Sequence, residues 1–203
     1  EDTRVTRNLL SHYDIHTPLT SYHQHTTCAK LDALAARLAA GESIALVSDA
    51  GMPGISDPGA DLIARAIEIG ANVVPIPGPN AAISGLVVSG LPAGRFQFDG
   101  FPPRTRTDRK EYFARLARRE RTAIVYESAQ RIEQTLNELY HAAGDCDVAL
   151  ARELTKKFEE VFRGRLPAAI NHLSENKPRG EFTIIIGPPE KQEEAVDPDL
   201  EGI

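Results

Sequence analysis

Tryptophan is absent from this 203-residue chain, methionine occurs once and cysteine twice. Two cysteines, Cys28 and Cys146, without a CxxC spacing, supply neither a disulfide framework nor a structural zinc set. The six histidines show no metal-ligand spacing either, so no metal is expected. No apolar run approaches the roughly 20 residues that span a bilayer, and no charged-then-apolar leader opens the sequence. The expectation is a reduced, cytoplasmic protein. Its hydrophobic content of 41% suffices for one large domain or two small ones with real cores.

Strong positive charge is also lacking: the formal net charge is −6. That sum conceals two opposed segments. After Pro189 the chain carries six acids (Glu190, Glu193, Glu194, Asp197, Asp199, Glu201) against Lys191 alone. Such a Pro- and acid-rich stretch, 189–203, predicts a disordered tail. Residues 104–121 are the reverse. Eight bases (Arg104, Arg106, Arg109, Lys110, Arg115, Arg118, Arg119, Arg121) face only Asp108, Glu111 and Glu120. A basic patch of that density suits an anionic partner. Phe113 and Leu116 interrupt it, which marks Arg115, Arg118 and Arg119 as a solvated helix face.

What the chain does have is a dense Gly/Pro loop. The apolar run Ile44-Ala45-Leu46-Val47 has strand composition and stops at Ser48-Asp49. Gly51, Gly54, Gly59, Pro53 and Pro58 then lead into a helical pattern at 59–69. Gly permits close backbone approach to a ligand, and Pro fixes the surrounding turns. Strand ends of open α/β sheets are where such folds bind ligands. A helix at 28–40 precedes this strand at 43–48. A second strand at 73–76 follows it, with the turn Pro77-Gly78-Pro79-Asn80 and a small-residue helix at 81–88. The βαβα alternation predicts parallel strands. Ser89 to Gly94 reads as a domain boundary. Beyond it come strands at 96–98, 122–126, 147–152 and 181–187, with helices from about 107, at 130–143 and at 166–174; a polar segment runs through Arg163.

Four motifs in this order, Ser48–Gly59, Pro75–Ala82, Phe98–Arg104 and Gly180–Gly187, resemble the tetrapyrrole methylase family. Glu1-Asp2-Thr3-Arg4, Ser21-Tyr22-His23 and Arg152–Lys156 are similar to its ribosomal branch, the 16S ribosomal RNA cytidine 2′-O-methyltransferases. The resemblance implies two α/β domains, 1–91 and 95–188, with a cofactor cleft between them, in a homodimer. It implies S-adenosylmethionine (SAM) as cofactor and methyl transfer to the ribose 2′-oxygen of a cytidine in 16S ribosomal RNA, within the small subunit. Members of that branch place a strand and a Gly-containing loop ahead of the Glu-Asp-Thr-Arg motif; the expectation is that this first domain lacks them.

The same resemblance implies roles. Asp49 with Ala50, Gly51 and Met52 lies beside the methionine portion of SAM, and Asn80 and Ala81 at the second strand end. Tyr126, Glu127, Glu153, Leu154, Glu181 and Phe182 close over the adenosine. Asp49 read by itself is a helix or turn cap, as is Asp57 before Pro58. Asp2 and Arg4 are expected to position substrate. Glu1, Asp2, His23 and Asp49 are the candidates to take up a proton, and none is singled out. Arg104, Arg106, Arg109 and Lys110, with Lys156, Lys157 and Arg163 as a second group, are expected on RNA phosphates. Two alternatives stay open: a methylase of a small tetrapyrrole of the precorrin type, and a non-catalytic RNA-binding fragment. The first gives no account of the basic segment 104–110.

Overall fold

The computed structural model describes residues 2–189; the acidic stretch from Glu190 onward lies outside the described residues. The chain divides into two compact units, with the division between Ala81 and Ala82.

The first unit contains helices α1 (Thr3–His12), α2 (Cys28–Ala39) and α3 (Ala60–Glu68). The apolar periods of α2 and α3 set their packing: Leu34 and Ala35 of one and Leu62 and Ala66 of the other are buried. Arg65 of α3 reaches Asp32 of α2 at 3.3 Å. The strands expected at 43–48 and 73–76 are not formed, and no strand lies in this unit among the described residues. Val73, Val74 and Ile76 are instead exposed. β-Branched composition favours extended backbone, but a strand exists through its ladder to a neighbour. Neither segment belongs to a ladder, so the parallel βαβα alternation is not seen here.

The second unit is a five-stranded sheet ordered β1-β2-β5-β3-β4. Its strands are β1 (Phe96–Phe98), β2 (Thr122–Ser128), β3 (Asp147–Arg152), β4 (Glu160–Arg165) and β5 (Glu181–Ile186). Only β1 and β2 pair in parallel; the other three ladders are antiparallel. The sequence predicts only a polar segment where β4 forms. It is the edge strand, only partly buried along its length, and edge strands carry charge such as Glu160, Arg163 and Arg165.

Side chains alternate along each strand, so the sheet has two faces. One bears Ala123, Val125, Val148, Leu150, Phe182, Ile184 and Ile186. It packs with α5 (Arg106–Ala117), α6 (Ile132–Ala143) and α7 (Leu166–Glu175) into the main core. Leu116, Ile132, Leu136, Leu139 and Leu166 are each at most 1% exposed there. Burial of each such side chain stabilises the fold by about 1.5–3 kcal/mol. The other face bears Ile124, Ala149, Ala151 and Ile185. It packs with Ala82 and Leu86 of α4 (Ala81–Ser89). A side chain at Gly85 would come within 2.9 Å of Thr183 Cγ2 and 3.2 Å of Ile185 Cδ1, so this position admits no Cβ without rearrangement. That packing places α4 from Ala82 onward in the second unit, so the division lies ahead of the boundary expected at 89–94.

Candidate functional site

In the first unit, three of the expected residues meet at the start of α1. Asp2 is the N-cap: its Oδ1 accepts from the Arg4 N–H at 2.8 Å. The Arg4 guanidinium grips the same carboxylate, with Nε at 3.0 Å from Oδ1 and Nη2 at 2.6 Å from Oδ2. The Asp2 N–H in turn donates to Asp49, 3.2 and 3.1 Å from its two oxygens. Asp49 thereby ties the Gly/Pro loop to the helix start. Hydrogen bonding from Arg4 holds the Asp2 carboxyl down at about 2. A carboxylate that acidic is a poor proton acceptor near neutrality, where an effective base titrates near the working pH. Asp2 is therefore suited to orientation rather than proton removal. Replacing Arg4 by Gln should move the Asp2 midpoint, followed by carboxyl NMR, from about 2 toward the ordinary value of about 3.9. Because folding depresses this pKa, the cap's contribution is full above the ordinary value and fades as pH falls through about 2.

The loop itself is closed by Ile55 N–H on the Met52 carbonyl at 3.1 Å and Gly54 N–H on that of Pro58 at 3.3 Å. Gly59 has φ +144°, and a Cβ there would lie 2.8 Å from Leu46 Cδ2 and 3.2 Å from Gly54 N. Only glycine lets the loop fold back this tightly on the segment that enters it. Ala50 and Gly51 remain exposed and Met52 half-buried; Asn80, half-buried, precedes Ala81 at the start of α4. His23 sits in a local turn, its N–H on Thr26 Oγ1 at 2.9 Å and its Nδ1 accepting from His25 N–H at 3.2 Å. Glu1 lies outside the described residues.

In the second unit, strand alternation separates residues that the sequence grouped. Tyr126 is on the α4 face, where its hydroxyl accepts from the Ala82 N–H at 2.9 Å and so satisfies one helix-start donor. Phe98 lies edge-on to its ring at 4.9 Å and Phe101 at 5.5 Å; Leu154 joins the same cluster. Together they make an apolar and aromatic wall. Glu127, expected beside Tyr126, points through the opposite face, its side chain wholly buried. Its Oε1 accepts from Ser128 N–H at 2.8 Å and Arg131 Nε at 2.9 Å, and its Oε2 from Thr135 Oγ1 at 2.7 Å. Phe182 likewise lies in the main core. Adjacent strand residues cannot send both side chains to one face, so the side chains of Glu127 and Phe182 lie on the core face, opposite the Tyr126 wall.

Glu153 and Glu181 are brought together by Lys156, whose Nζ lies 2.9 Å from a carboxylate oxygen of each. The Lys156 hydrogen bond, joined by the Glu181 N–H, pulls the Glu153 carboxyl below its usual range. Glu181 and then Glu153 push the lysine up. Lys156 is thus already paired with two anions.

The basic residues also divide. Arg104, Arg106 and Lys110 are exposed around the start of α5. Arg109, grouped with them from sequence, is 3% exposed. Its Nε donates to Glu138 at 2.7 Å, Nη2 to Thr135 Oγ1 at 2.9 Å and Nη1 to the Pro103 carbonyl at 3.1 Å, with Glu127 at 3.9 Å. Spacing carried the signal: 109, 113 and 116 are one helix stripe. Arg119 continues it and is 4% exposed, donating to the Gly187 carbonyl at 2.6 Å. It is no part of a solvated face, unlike Arg115 and Arg118. Arg163 is exposed on β4 and donates to the Val88 carbonyl at 2.8 Å; Lys157 stands 5.6 Å from the Phe158 ring centroid.

The family model for tetrapyrrole (corrin/porphyrin) methylases matches residues 1–170, and the chain belongs to that family. Over 186 residues it is 46% identical to a protein named Ribosomal RNA small subunit methyltransferase I from Halalkalibacterium halodurans, covering 92% of this chain and 64% of that protein. The protein of the same name from Synechocystis sp. is 46% identical over 187 residues, with 92% and 67% covered. The chain thus spans about two thirds of the length of these relatives. Among solved structures, the methyltransferase CobJ is similar with a TM-score of 0.62 at 16% identity, over 92% of this chain and 86% of that one. The uroporphyrin-III C-methyl transferase from Thermus thermophilus, solved complexed with S-adenyl homocysteine, gives 0.51 at 19% identity over 79% and 73%. These likenesses establish the fold as the α/β tetrapyrrole methylase type.

Proposed function

We propose that the protein is a SAM-dependent methyltransferase acting on the ribose 2′-hydroxyl of a cytidine in 16S ribosomal RNA. The observation that carries this reading is the 46% identity to two small-subunit ribosomal RNA methyltransferases over nearly the whole chain. Exposed Arg104, Arg106 and Lys110 support an RNA substrate, because a phosphate backbone is held by exposed cations. A small tetrapyrrole leaves them without a role.

Each unit by itself offers donors that suit SAM. Asp49 is a carboxylate acceptor beside an exposed backbone loop, and Tyr126, Phe98, Phe101 and Leu154 form an apolar wall. A ligand with an ammonium, ribose hydroxyls and an adenine ring needs those two kinds of surface. Support for this cofactor comes also from the S-adenyl homocysteine complex of the Thermus thermophilus relative in fold. When bound, SAM supplies a methyl group activated by its sulfonium. Asp49 and the backbone at 50–52 hold the methionine portion. Tyr126 and Leu154 line the adenosine, and Asp2 with Arg4 orients the ribose hydroxyl. Alignment of the reacting atoms lowers the barrier by several kcal/mol, about 7–11 in favourable intramolecular cases.

A homodimer in the cytoplasm is part of the same proposal. Helix α4 supports the dimer: apart from Ser84 and Ser89 it is apolar, yet Val87 is 72% exposed, and such helices are ordinarily covered. Among the described residues no helix is long and apolar enough to cross a membrane. The test is incubation with methyl-labelled SAM and small subunits whose RNA lacks the modification. Label in 16S RNA supports the proposal; label only in an added tetrapyrrole contradicts it.

A further inference from the structure

The turn from β3 to β4, residues 153–159, has a costly backbone. Glu153 and Thr155, neither of them glycine, both adopt left-handed φ, 47° and 66°. Such conformations persist only where the surroundings over-determine them, and they concentrate at functional positions. Here the Thr155 N–H donates to Glu159 Oε2 at 2.6 Å, the Lys156 N–H to the Glu153 carbonyl at 3.0 Å, and the Glu159 N–H to that of Lys156 at 3.2 Å. Lys156 bolts the turn to β5 through Glu181. Arg152 Nη2 donates to the Phe158 carbonyl at 3.3 Å while lying 3.2 Å from Glu160, whose Oε1 is 2.8 Å from His172 Nε2.

What this scaffold presents is Phe158, a ring 66% exposed. A scattered exposed apolar residue needs no explanation, but a rigid and strained mount for one does. Its immediate neighbours Thr155, Lys156, Lys157 and Glu159 are polar and exposed. A lone ring in charged surroundings suits a flat aromatic ligand with an anionic backbone better than an apolar protein surface. Unpaired nucleotides have both properties and are held on aromatic rings beside cations. We propose that Phe158 is a stacking platform for an unpaired RNA base, with Lys157 meeting the flanking phosphate. This deepens, and rests on, the RNA-substrate reading above.

The test uses two variants, Phe158→Ala and Phe158→Trp, with a short fluorescent single-stranded oligoribonucleotide and with small ribosomal subunits as probes. The chain contains no tryptophan, so Phe158→Trp places a sole reporter at the proposed stack. Phe158→Ala should bind both probes about 5- to 150-fold more weakly, the effect of one lost base–aromatic stack, with an unchanged unfolding midpoint. Phe158→Trp should bind like the wild type, and its fluorescence should be quenched on adding RNA. Wild-type binding with an unaffected Phe158→Ala and no quenching overturns the platform and leaves the RNA reading standing. Quenching that follows protein concentration without RNA assigns the ring to a second copy and also overturns it. Failure of the wild type to bind either probe overturns the RNA reading itself, and the platform with it.

Discussion

Arg109→Ala is expected to destabilise the second unit by about 3–5 kcal/mol, the cost of stranding a buried charge. The guanidinium lies among Glu138, Thr135, the Pro103 carbonyl and Glu127, and Glu127 has a side-chain exposure of zero. Arg131 also contacts Glu127, through a single nitrogen at 2.9 Å, and Gln134 donates to Glu138 at 2.7 Å, but neither replaces the guanidinium between the two carboxylates. Arg104, five residues earlier and exposed, is the contrasting case. Arg104→Ala should leave the unfolding midpoint within about 0.5 kcal/mol of the wild type, weaken RNA binding and leave SAM binding intact. Urea unfolding and RNA titration of the two variants separate the roles. Arg109→Ala with wild-type stability and lost RNA binding would put that residue on the RNA and contradict the structure.

Gly85→Val should cost about 3 kcal/mol, the upper part of the range for overfilling a packed interior. By helix propensity alone, Gly85→Ala gains about 1 kcal/mol. The packing argument predicts the opposite sign, because the new Cβ meets Thr183 Cγ2 at 2.9 Å and Ile185 Cδ1 at 3.2 Å. Thr183→Ala removes the nearer atom. The double variant Gly85→Ala/Thr183→Ala should therefore recover stability beyond the sum of the single changes, a coupling expected only of residues in contact. A stabilising Gly85→Ala would show that α4 does not pack on the sheet at that distance.

Four strands and the helices of the second unit were legible because their residues bury on sheet faces that the apolar pattern records, as in Ala123–Val125 and Ile184–Ile186. Residues 43–48 and 73–76 show the limit of that signal: composition reports a preference for extension, while pairing depends on what lies alongside. The charged edge strand β4 was illegible for the converse reason, since its ladder to β3 holds it despite a polar sequence. Motif order identified the family, but side-chain direction did not follow from proximity in sequence. Tyr126 and Glu127 are neighbours on opposite faces, and Arg109 among its basic neighbours is an interior residue. Counting parity from Val125, or the stripe 109–113–116, would have found both. Phe158 had no pattern at all; its place emerges only from the positive φ at Glu153 and Thr155.

The most direct measurement is the identity of the product nucleoside. After reaction with methyl-labelled SAM and undermethylated small subunits, the 16S RNA is digested to nucleosides and separated by mass. The account predicts label in cytidine carrying the methyl group on its ribose 2′-oxygen. Label on a base, or none in RNA while an added tetrapyrrole is methylated, would contradict it.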